Sequence, residues 1–341
     1  MSCDVTIGIP FYRSVDTIVQ TLESALSQSY ESIEFLLIDD GGKDGSLAKV
    51  QDMIQFHPRG MDVRIISHEH NIGVAASRNE IIDKAQGEFV YFLDSDDVID
   101  ENAVSLLIKH ARKHDAEIVF GSYEKIDLDG RKTLYQYPYK VFTEPDQLAT
   151  FAYRKYGGIQ ASACNYIVKT SLLRTNKHYF LNSNYWEDLV FTFDLVTLTS
   201  RAVLLPDITY TYLCRPNSLS HYQERKNVSK EEIMQTVHTI DYLKQSSSYL
   251  ISKAYYPNRC FQVVMTDFYI ACRILKLRYQ IVPKVMNKEV KQLMRHPATF
   301  RQICSFRQSR IKNLFLYIIG KFPAFLCVFS IWCLGKIKKL I

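Results

Sequence analysis

The chain has 341 residues, of which 47% are hydrophobic, so it can bury a substantial core and an intrinsically disordered chain is excluded. Its eight cysteines include no Cys-x-x-Cys pair, and the start MSCDVTIGIP lacks a basic segment followed by a long apolar run. We therefore expect a reduced, cytosolic chain without a signal peptide. The net charge of +6 is uneven, because residues 1–289 hold 32 basic and 36 acidic residues, whereas residues 290–341 hold ten basic and no acidic ones. This asymmetry predicts a polyanionic partner for the C-terminal tail alone.

Short apolar runs alternate with helical patterns over the first 122 residues. DVTIGIP, IEFLLI, VRIIS, EFVYFL and EIVFGS predict strands, and apolar residues at helical spacing predict helices near residues 46–55, 74–85 and 101–114. Residues 15–26 predict a further helix with Ser14 in position to cap it. Alternation of this kind predicts an α/β fold, with a mostly parallel sheet covered by helices on both faces.

The later part of the chain has a different pattern. Residues 122–225 are irregular and rich in tyrosine, which suits a substrate-facing extension of the same domain. Beyond them, Ser229 and Glu232 form a capping-box pattern, and residues 258–279 and 283–296 predict two more helices. We predict an α/β domain over residues 1–225, a helical region over 226–300 and a basic, apolar tail over 301–341.

Acidic clusters follow two of the predicted strands. Ligands of open α/β sheets bind beyond the carboxyl ends of the strands, where Asp39-Asp40 and Asp94-Ser95-Asp96-Asp97 occur. Asp94 and Asp96 are two residues apart in an extended strand end, so their carboxylates converge and repel each other unless a cation lies between them. Oxygen ligands of this type favour Mg²⁺ or Mn²⁺, which bind through one or two carboxylates together with substrate phosphates.

Each of these patterns also has a structural explanation. The Asp94–Asp97 segment is equally typical of a solvated turn, with Asp97 or Asp100 capping the next helix, and Asp39-Asp40 of an acidic turn. A carboxylate at Asp39-Asp40 can instead accept a hydrogen bond from a base N–H or a ribose hydroxyl. An arginine such as Arg78 can neutralise a diphosphate, although an exposed helical arginine is common.

Six segments together resemble the motifs of the inverting GT-A glycosyltransferases of family 2. In chain order they are IGIPFY, LLIDDGGKDGS, NIGVAASRN, YFLDSDD, YWEDLVF and YLCRPNSLSH, within residues 5 to about 222. The resemblance implies a GT-A, Rossmann-like fold followed by a helical C-terminal region. It also implies an enzyme of bacterial surface-polysaccharide synthesis.

The resemblance further implies roles for individual residues. It places Asp188 as the catalytic base, with Glu187 beside it as the second choice, and Asp94 and Asp96 as the metal ligands. His221 is then a further metal contact, although a lone histidine is more often a surface residue, and Arg215 contacts a phosphate or the acceptor. The implied nucleotide-binding residues are Pro10, Tyr12, Asp39, Asp40, Arg78, Asp94 and Ser95.

The chain also departs from the family pattern. Where relatives often carry Trp-Asn-Lys, it has Cys164-Asn165-Tyr166, so acceptor contacts do not transfer to this stretch. The QxxRW motif and the multiple spanning helices of polymer synthases are missing from the sequence, which favours addition of a single sugar.

The tail contains the apolar segment Leu314 to Gly335, interrupted by Lys321 and Pro323. Each half is shorter than the roughly 20 residues that a spanning helix needs, which favours a kinked, interfacial or re-entrant anchor held by anionic lipid. The alternative is a buried helix whose lysines reach solvent. Nucleic acid is disfavoured as a partner, because the basic residues alternate with aliphatic runs.

Together these patterns predict a cytoplasmic enzyme that is peripheral on the inner face of the cell membrane. It would move one sugar from a nucleotide-diphospho-sugar, a UDP-sugar by expectation, to a glycan or lipid-linked acceptor with inversion. Two alternatives are a soluble transferase acting on a protein or small acceptor, and a scaffold that binds a nucleotide sugar without turnover. Joint presence of Asp94, Asp96 and Asp188 argues against the scaffold.

Overall fold

A computed structural model of the chain describes residues 3–154, 158–216 and 228–341. The chain forms two compact units. The first comprises Met1–Leu148, Ala161–Asn184 and Phe191–Ser218, and the second comprises Ala149–Gln160, Tyr185–Val190 and Leu219–Ile341. The first unit contains the mixed sheet and its covering helices, and the second is mainly helical, which confirms the predicted α/β class with a helical C-terminal region.

The first unit is built on one sheet with the strand order β3-β2-β1-β4-β9-β6-β10-β5. Strands β3, β2, β1 and β4 are parallel, as are β6 and β10, whereas β9 is antiparallel to both of its neighbours. Two short strands pair at the side, β7 with β6 and β8 with β10. The strands are β1 Val5–Phe11, β2 Ile33–Asp39, β3 Val63–Ser67, β4 Phe89–Phe92, β5 Val98–Ile99, β6 Ile118–Ile126, β7 Lys132–Tyr135, β8 Lys140–Phe142, β9 Tyr166–Lys169, β10 Ala202–Leu213, and the separate pair β11 Val228–Ser229 and β12 Ile281–Val282.

Helices follow most of the strands and supply the remaining core. All seven residues of β1 are buried, as expected for a central strand covered on both faces. Gly8 lets the helix Val74–Lys84 approach that strand, since a Cβ there would clash with Ile81 Cγ2. The helices are α1 Ile18–Leu26, α2 Ser46–Phe56, α3 Val74–Lys84, α4 Ala103–His114, α5 Gln147–Arg154, α6 Thr170–Thr175, α7 Glu187–Leu198, α8 Lys230–Ser246, α9 Tyr256–Lys276, α10 Asn287–Leu293, α11 Phe300–Ser305, α12 Arg310–Lys321 and α13 Ala324–Ile337.

The predicted strands and most of the predicted helices are present, with ends within a few residues. The helix expected from residue 15 begins only at Ile18, where the Ser14 carbonyl, and not its side chain, accepts the first N–H groups. The capping pattern at Ser229 is realised through the N–H of Glu231. Residues 122–225 were expected to be irregular, but those among them that the structure describes mostly form regular elements. Their strands pair with distant parts of the chain, and local periodicity does not report that pairing.

The second unit has a helical core that includes part of the tail. Tyr256, Cys260, Ala298, Ile303 and Phe306 form one buried cluster. A buried ion pair also ties these helices together, because Lys244 Nζ lies 2.9 Å from Asp267 Oδ2 and donates to the Leu293 carbonyl at 2.9 Å. Among the described residues, no helix is both long and apolar enough to cross a membrane.

Candidate active site

The carboxyl ends of β1, β2 and β4 lie at one edge of the sheet and carry the acidic residues. In the parallel register Phe11 pairs with Asp39, and Leu93 donates its N–H to the Gly8 carbonyl at 3.0 Å. Strand β1 therefore lies between β2, which ends at Asp39, and β4, which Asp94 follows, so both carboxylates lie at the same edge of the sheet. This is the edge where α/β sheets bind ligands, as the sequence predicted.

Asp39 and Asp40, although adjacent, have different environments. Asp40 is 3% exposed, and its carboxylate accepts the N–H groups of Ile72 and Gly73, each at 2.9 Å, and contacts His68 Nδ1 at 2.8 Å. Asp39 is 7% exposed, and its carboxylate has no hydrogen-bond partner within the part of the chain that the structure describes. Asp40 therefore fastens the 68–73 loop to the end of β2, while Asp39 retains its capacity to accept a hydrogen bond from a ligand.

His68 extends the contacts of Asp40 to helix α3. Its Nε2 lies 2.7 Å from Glu80 Oε2, so each ring nitrogen faces a carboxylate. Burial lowers the pKa of His68, but the hydrogen bonds to Asp40 and Glu80 outweigh it and leave the pKa above its usual value. The histidine is therefore a structural link between the loop and the helix.

Asp94 and Asp96 bracket the turn that follows β4. Arg78, itself 5% exposed, donates to Asp94 Oδ1 at 2.7 Å, so the structure places this arginine against the acidic turn. Burial, and then the charge of Asp94, raises the pKa of Asp96 to about 6. Arg78 thus compensates Asp94, and the charge of Arg215 only partly offsets the raised pKa of Asp96, so the turn remains a favourable site for a cation.

The donor set of this turn fits a small divalent ion that is shared with a substrate. Within residues 3–154, 158–216 and 228–341, no group of three or more His, Cys, Asp or Glu side chains is arranged to hold a metal. Two carboxylates are nevertheless typical for Mg²⁺ or Mn²⁺ when phosphates complete the coordination. Asp94 and Asp96 therefore match a metal–diphosphate site better than a permanent metal centre.

Hydroxyl groups from the start of helix α1 hold the backbone of the acidic turn. Thr17 Oγ1 donates to the Ser95 carbonyl at 2.7 Å, and Thr21 Oγ1 donates to the Asp97 carbonyl at 2.8 Å. The hydroxyls of Ser14 and Ser95 lie 2.8 Å apart. The spacing of Thr17 and Thr21 at i and i+4 is the only signal in the sequence for this arrangement, because their partners lie more than 70 residues away.

Asp97 has a role that the sequence did not reveal. It is 1% exposed, and its carboxylate accepts the hydroxyl of Tyr210 at 2.5 Å and the N–H of Leu213 at 2.8 Å. Asp97 therefore binds the end of β10 and does not cap the following helix. Burial, followed by the charges of Asp94 and Asp96, raises its pKa to about 8.

Arg215 follows directly from the strand that Asp97 holds. Its guanidinium donates to the backbone carbonyl of Asp96, with Nη2 at 2.8 Å and Nε at 3.2 Å. Arg215, the predicted phosphate contact, therefore lies against the Asp94–Asp97 turn, although it is 119 positions from Asp96 in the sequence. His221, predicted as a further metal contact, lies outside the described residues.

Pro10 and Tyr12 occupy the end of β1 and the position after it. Pro10 is buried in the strand, beyond the last residue that pairs with β4, so its missing N–H removes no bond to that neighbour. Tyr12 is 40% exposed, and the guanidinium of Arg13 lies 5.2 Å from its ring centroid. An exposed aromatic ring beside a cation is a suitable surface for stacking a base.

Glu187 and Asp188 occupy the first turn of helix α7 in the second unit. Negative charge is favourable at a helix N-terminus, and Asp188 Oδ1 accepts the N–H of Leu189 at 2.7 Å. Trp186 immediately before them has a left-handed backbone with φ +65°, which is rare for a bulky residue. A sterically unfavourable residue at this point indicates that the direction of the acidic helix start is constrained.

Asn165, the residue of the divergent Trp-Asn-Lys position, is buried within the sheet. It is 2% exposed and also has a left-handed backbone, with φ +72°. Its amide donates to the Gly121 carbonyl at 2.6 Å and accepts the Thr209 hydroxyl at 2.6 Å. Asn165 thus joins strands β6 and β10 and acts as a structural residue.

The chain is similar to known proteins in both sequence and fold. Residues 6–175 match the model of Glycosyl transferase family 2. Glycosyltransferase GlyG of Streptococcus pneumoniae is 28% identical over 224 residues, which are 64% of this chain and 73% of that protein. The Escherichia coli UDP-Glc:alpha-D-GlcNAc-diphosphoundecaprenol beta-1,3-glucosyltransferase WfgD is 31% identical over 123 residues, 36% of this chain and 47% of that protein.

The similarity in fold extends over nearly the whole chain. The crystal structure of S. aureus TarS 1-349 in complex with UDP-GlcNAc has a TM-score of 0.65 at 17% identity, and covers 93% of this chain and 90% of that one. At this identity the likeness concerns the fold. Sequence and fold agree: the chain belongs to glycosyltransferase family 2 and is a transferase with a GT-A fold.

Proposed function

We propose that the chain transfers a single sugar from a UDP-sugar to a glycan or lipid-linked glycan acceptor, with inversion, in cell-surface polysaccharide synthesis. The observation that carries the proposal is the strand-end cluster, where the buried Asp39 carboxylate at the end of β2 and the Asp94–Asp96 turn after β4 lie on either side of β1, at the same edge of the sheet. The names of relatives support the choice of substrates. WfgD is named for UDP-Glc and a diphosphoundecaprenol acceptor, and TarS was crystallised with UDP-GlcNAc.

The donor half of the reaction is assigned to residues at the strand ends. Asp39 would accept a hydrogen bond from the base or ribose, and Tyr12 would stack on the base, with Pro10 and Ser95 lining the site. Arg215 carries a guanidinium that can bind a diphosphate oxygen as well as the Asp96 carbonyl. Arg78 acts on the phosphates through its pairing with Asp94, and Asp40 by holding the loop that flanks the site.

Asp94 and Asp96 would hold Mg²⁺ or Mn²⁺ with the donor diphosphate. When bound, the ion supplies stabilisation of the negative charge that develops on the departing nucleotide diphosphate. Asp96 serves this role only when ionised, and Arg78 donates to the Asp94 carboxylate beside it. The two carboxylates thus orient the leaving group.

Asp188 is the proposed general base. Inverting transfer is a single displacement, so one carboxylate on the acceptor side must take the proton of the attacking hydroxyl. The acid pair at the start of α7 suits this role, because a helix N-terminus favours a charged carboxylate. Glu187 is 7% exposed, and the less buried Asp188 is the better candidate to meet an acceptor.

The decisive experiment separates donor binding from transfer. Asp188→Asn should keep metal-dependent UDP binding, measured by calorimetry, while transfer from a panel of UDP-sugars falls by at least about a thousandfold, since both base and charge are lost. Glu187→Gln serves as the matched control and should retain most of the activity. Undiminished transfer by Asp188→Asn removes this residue as the base. Donor binding by the wild-type chain without transfer or donor hydrolysis would favour a scaffold.

We place the reaction on the inner face of the membrane, with the C-terminal tail in contact with an anionic lipid surface. The acid-free composition of residues 290–341 supports this placement, and a lipid-linked acceptor would require it. Removal of the tail after Phe300 is a poor test, because Ile303 and Phe306 belong to the core of the second unit. Substitutions on the tail surface are the cleaner approach.

A further inference from the structure

Helix α13 is apolar on both of its faces. One face is buried in the second unit, through Cys327, Val328, Ile331 and Gly335. On the opposite face Phe325, Phe329 and Trp332 are 63%, 60% and 44% exposed. Their i, i+4, i+7 spacing places them in one stripe along the helix. The outward face of a helix on a water-soluble surface is ordinarily polar, so this stripe requires a partner.

Helix α12 repeats the same arrangement. Its buried side consists of Asn313, Leu316 and Ile319. On its outer side Ile311, Phe315 and Ile318 are 80%, 52% and 44% exposed, and Phe322 continues the i, i+4, i+7 spacing beyond the helix end. Two successive helices therefore carry apolar stripes that their own unit leaves uncovered.

The charges around the stripes identify the chemistry of the partner. The segment after Glu289 contains only basic charged residues, ten in number. Lys336 lies at the end of the α13 stripe, with Nζ 5.7 Å from the Trp332 ring centroid. A nucleic acid would match the charge and can stack on the rings, but it does not match stripes that also contain the exposed aliphatic residues Ile311 and Ile318. An anionic bilayer matches both, because aromatic rings favour the headgroup level and lysines pair with lipid phosphates.

The dimensions of the helices favour an orientation along the membrane surface. Helix α13 has 14 residues, or about 21 Å of helix, which is shorter than the roughly 30 Å of a hydrocarbon core. Helix α12 is shorter still, with 12 residues. One face of each helix also packs on its own unit, so only the outer stripe is available to lipid.

We propose that α12 and α13 form a monotopic anchor that lies in the plane of an anionic membrane, with the α12 and α13 stripes inserted among the lipid headgroups. The inference deepens the membrane placement proposed above and rests on it. It assigns the contact to exposed aromatic and aliphatic residues and names lipids with anionic phosphate headgroups as the partner. It also excludes the re-entrant arrangement that the sequence left open.

The two tryptophans of the chain provide a direct test. Full-length protein is mixed with vesicles of phosphatidylcholine and phosphatidylglycerol that carry bromine at defined acyl positions. Trp332 should shift to shorter emission wavelengths and be quenched, more strongly by bromines near the headgroup than by bromines near the chain end. In Trp332→Phe, where Trp186 is the remaining fluorophore, this quenching should disappear. Stronger quenching by the deep bromines would contradict the in-plane orientation.

Substitution of the stripe tests its contribution to binding. Phe325→Ser combined with Phe329→Ser should lower partitioning into anionic vesicles by about a hundredfold, since two inserted rings are lost. The matched control is Phe56→Ser, which removes an 81% exposed ring from helix α2 and should leave partitioning unchanged. Vesicles of phosphatidylcholine alone should bind at least about tenfold more weakly, and salt should weaken the anionic binding.

Two further outcomes separate the anchor from the transferase. UDP-dependent thermal stabilisation should be the same in the double variant and the wild type. Vesicle binding with Trp332 quenching, but without UDP binding or transfer, would keep the anchor and overturn the proposed function. Transfer without vesicle binding, or binding to heparin that displaces vesicles without any quenching, would overturn the anchor and leave the transferase in place.

Discussion

The adjacent residues Asp39 and Asp40 should respond in opposite ways to the same isosteric change. Asp40→Asn places an amide where the carboxylate accepts two backbone N–H groups and contacts His68, so one of those N–H groups must face another donor. A charged hydrogen bond contributes about 1.5–3 kcal/mol, and an unsatisfied buried donor costs about 1–3 kcal/mol. We expect a loss of about 3 kcal/mol in the free energy of unfolding. For a unit of this size the melting temperature should fall by about 6–12 °C.

Asp39→Asn should leave stability within about 1 kcal/mol, because none of the described residues donates to that carboxylate. It should instead weaken UDP binding by about 10- to 100-fold through loss of one charged hydrogen bond. Urea unfolding measures the first quantity and calorimetric titration with UDP the second. Equal stability losses in both variants, or full stability in Asp40→Asn, would refute the division of roles.

The loss of folding stability in Asp40→Asn should also depend on pH. The folded-state pKa of His68 lies above its usual value, so the charged histidine contributes stability that is fully present below about pH 6.5 and is lost as the pH rises through the raised value. Removing the charge of Asp40 eliminates much of this contribution. The difference between variant and wild type should therefore be larger at pH 5.5 than at pH 8.5, and NMR titration should show a lower His68 pKa in the variant.

Three further predictions concern the proposed metal site, the contact between Asp97 and Tyr210, and the ion pair of Lys244 with Asp267. Burial and a neighbouring carboxylate raise the pKa of Asp96 to about 6, so Mn²⁺-promoted UDP binding should weaken by up to about tenfold for each pH unit below 6. UDP affinity that does not change with pH in calorimetry, or metal-dependent binding that persists in Asp96→Ala, would contradict the metal site. Asp97→Ala should lower the free energy of unfolding by about 2–4 kcal/mol and Tyr210→Phe by about 1 kcal/mol. Urea midpoints equal to that of the wild type would argue against the buried hydrogen bond between Tyr210 and Asp97. Lys244→Met should lower the free energy of unfolding by about 3–5 kcal/mol, because Asp267 is left without its counter-charge. Adding Asp267→Asn should restore most of that stability, and if the double variant recovers none, the ion pair is not the cause.

Local patterns in the sequence predicted the central strands and the helices between them. Strands such as β2 are continuous apolar runs bounded by turn residues, and the position of Asp94 at a strand end follows from the same pattern. Strand β9 was missed, because its antiparallel place between β4 and β6 depends on pairing over long sequence separations. The length of β10 was missed for the same reason, since Tyr210 and Leu213 acquire their partner through Asp97.

The sequence predicted where the residues of the candidate site lie, but not which groups they contact. The motifs identified Asp39, Asp40, Arg78 and Asp96 as members of one region. They did not show that Asp40 is bound by backbone N–H groups or that Arg78 pairs with Asp94, because a carboxylate in a turn has the same sequence signature whether it binds a loop or a ligand.

The left-handed backbone of Trp186 sets a limit on how this enzyme can be made more robust. Residues other than glycine, asparagine and aspartate are disfavoured there by about 1–2 kcal/mol, so Trp186→Gly would relieve backbone strain. It would also remove a half-buried ring, and loss of a fully buried tryptophan side chain costs about 3–5 kcal/mol, so the exchange should not raise the melting temperature. A library screened for heat resistance should therefore keep a large side chain next to the proposed base, and the strain at this position should persist.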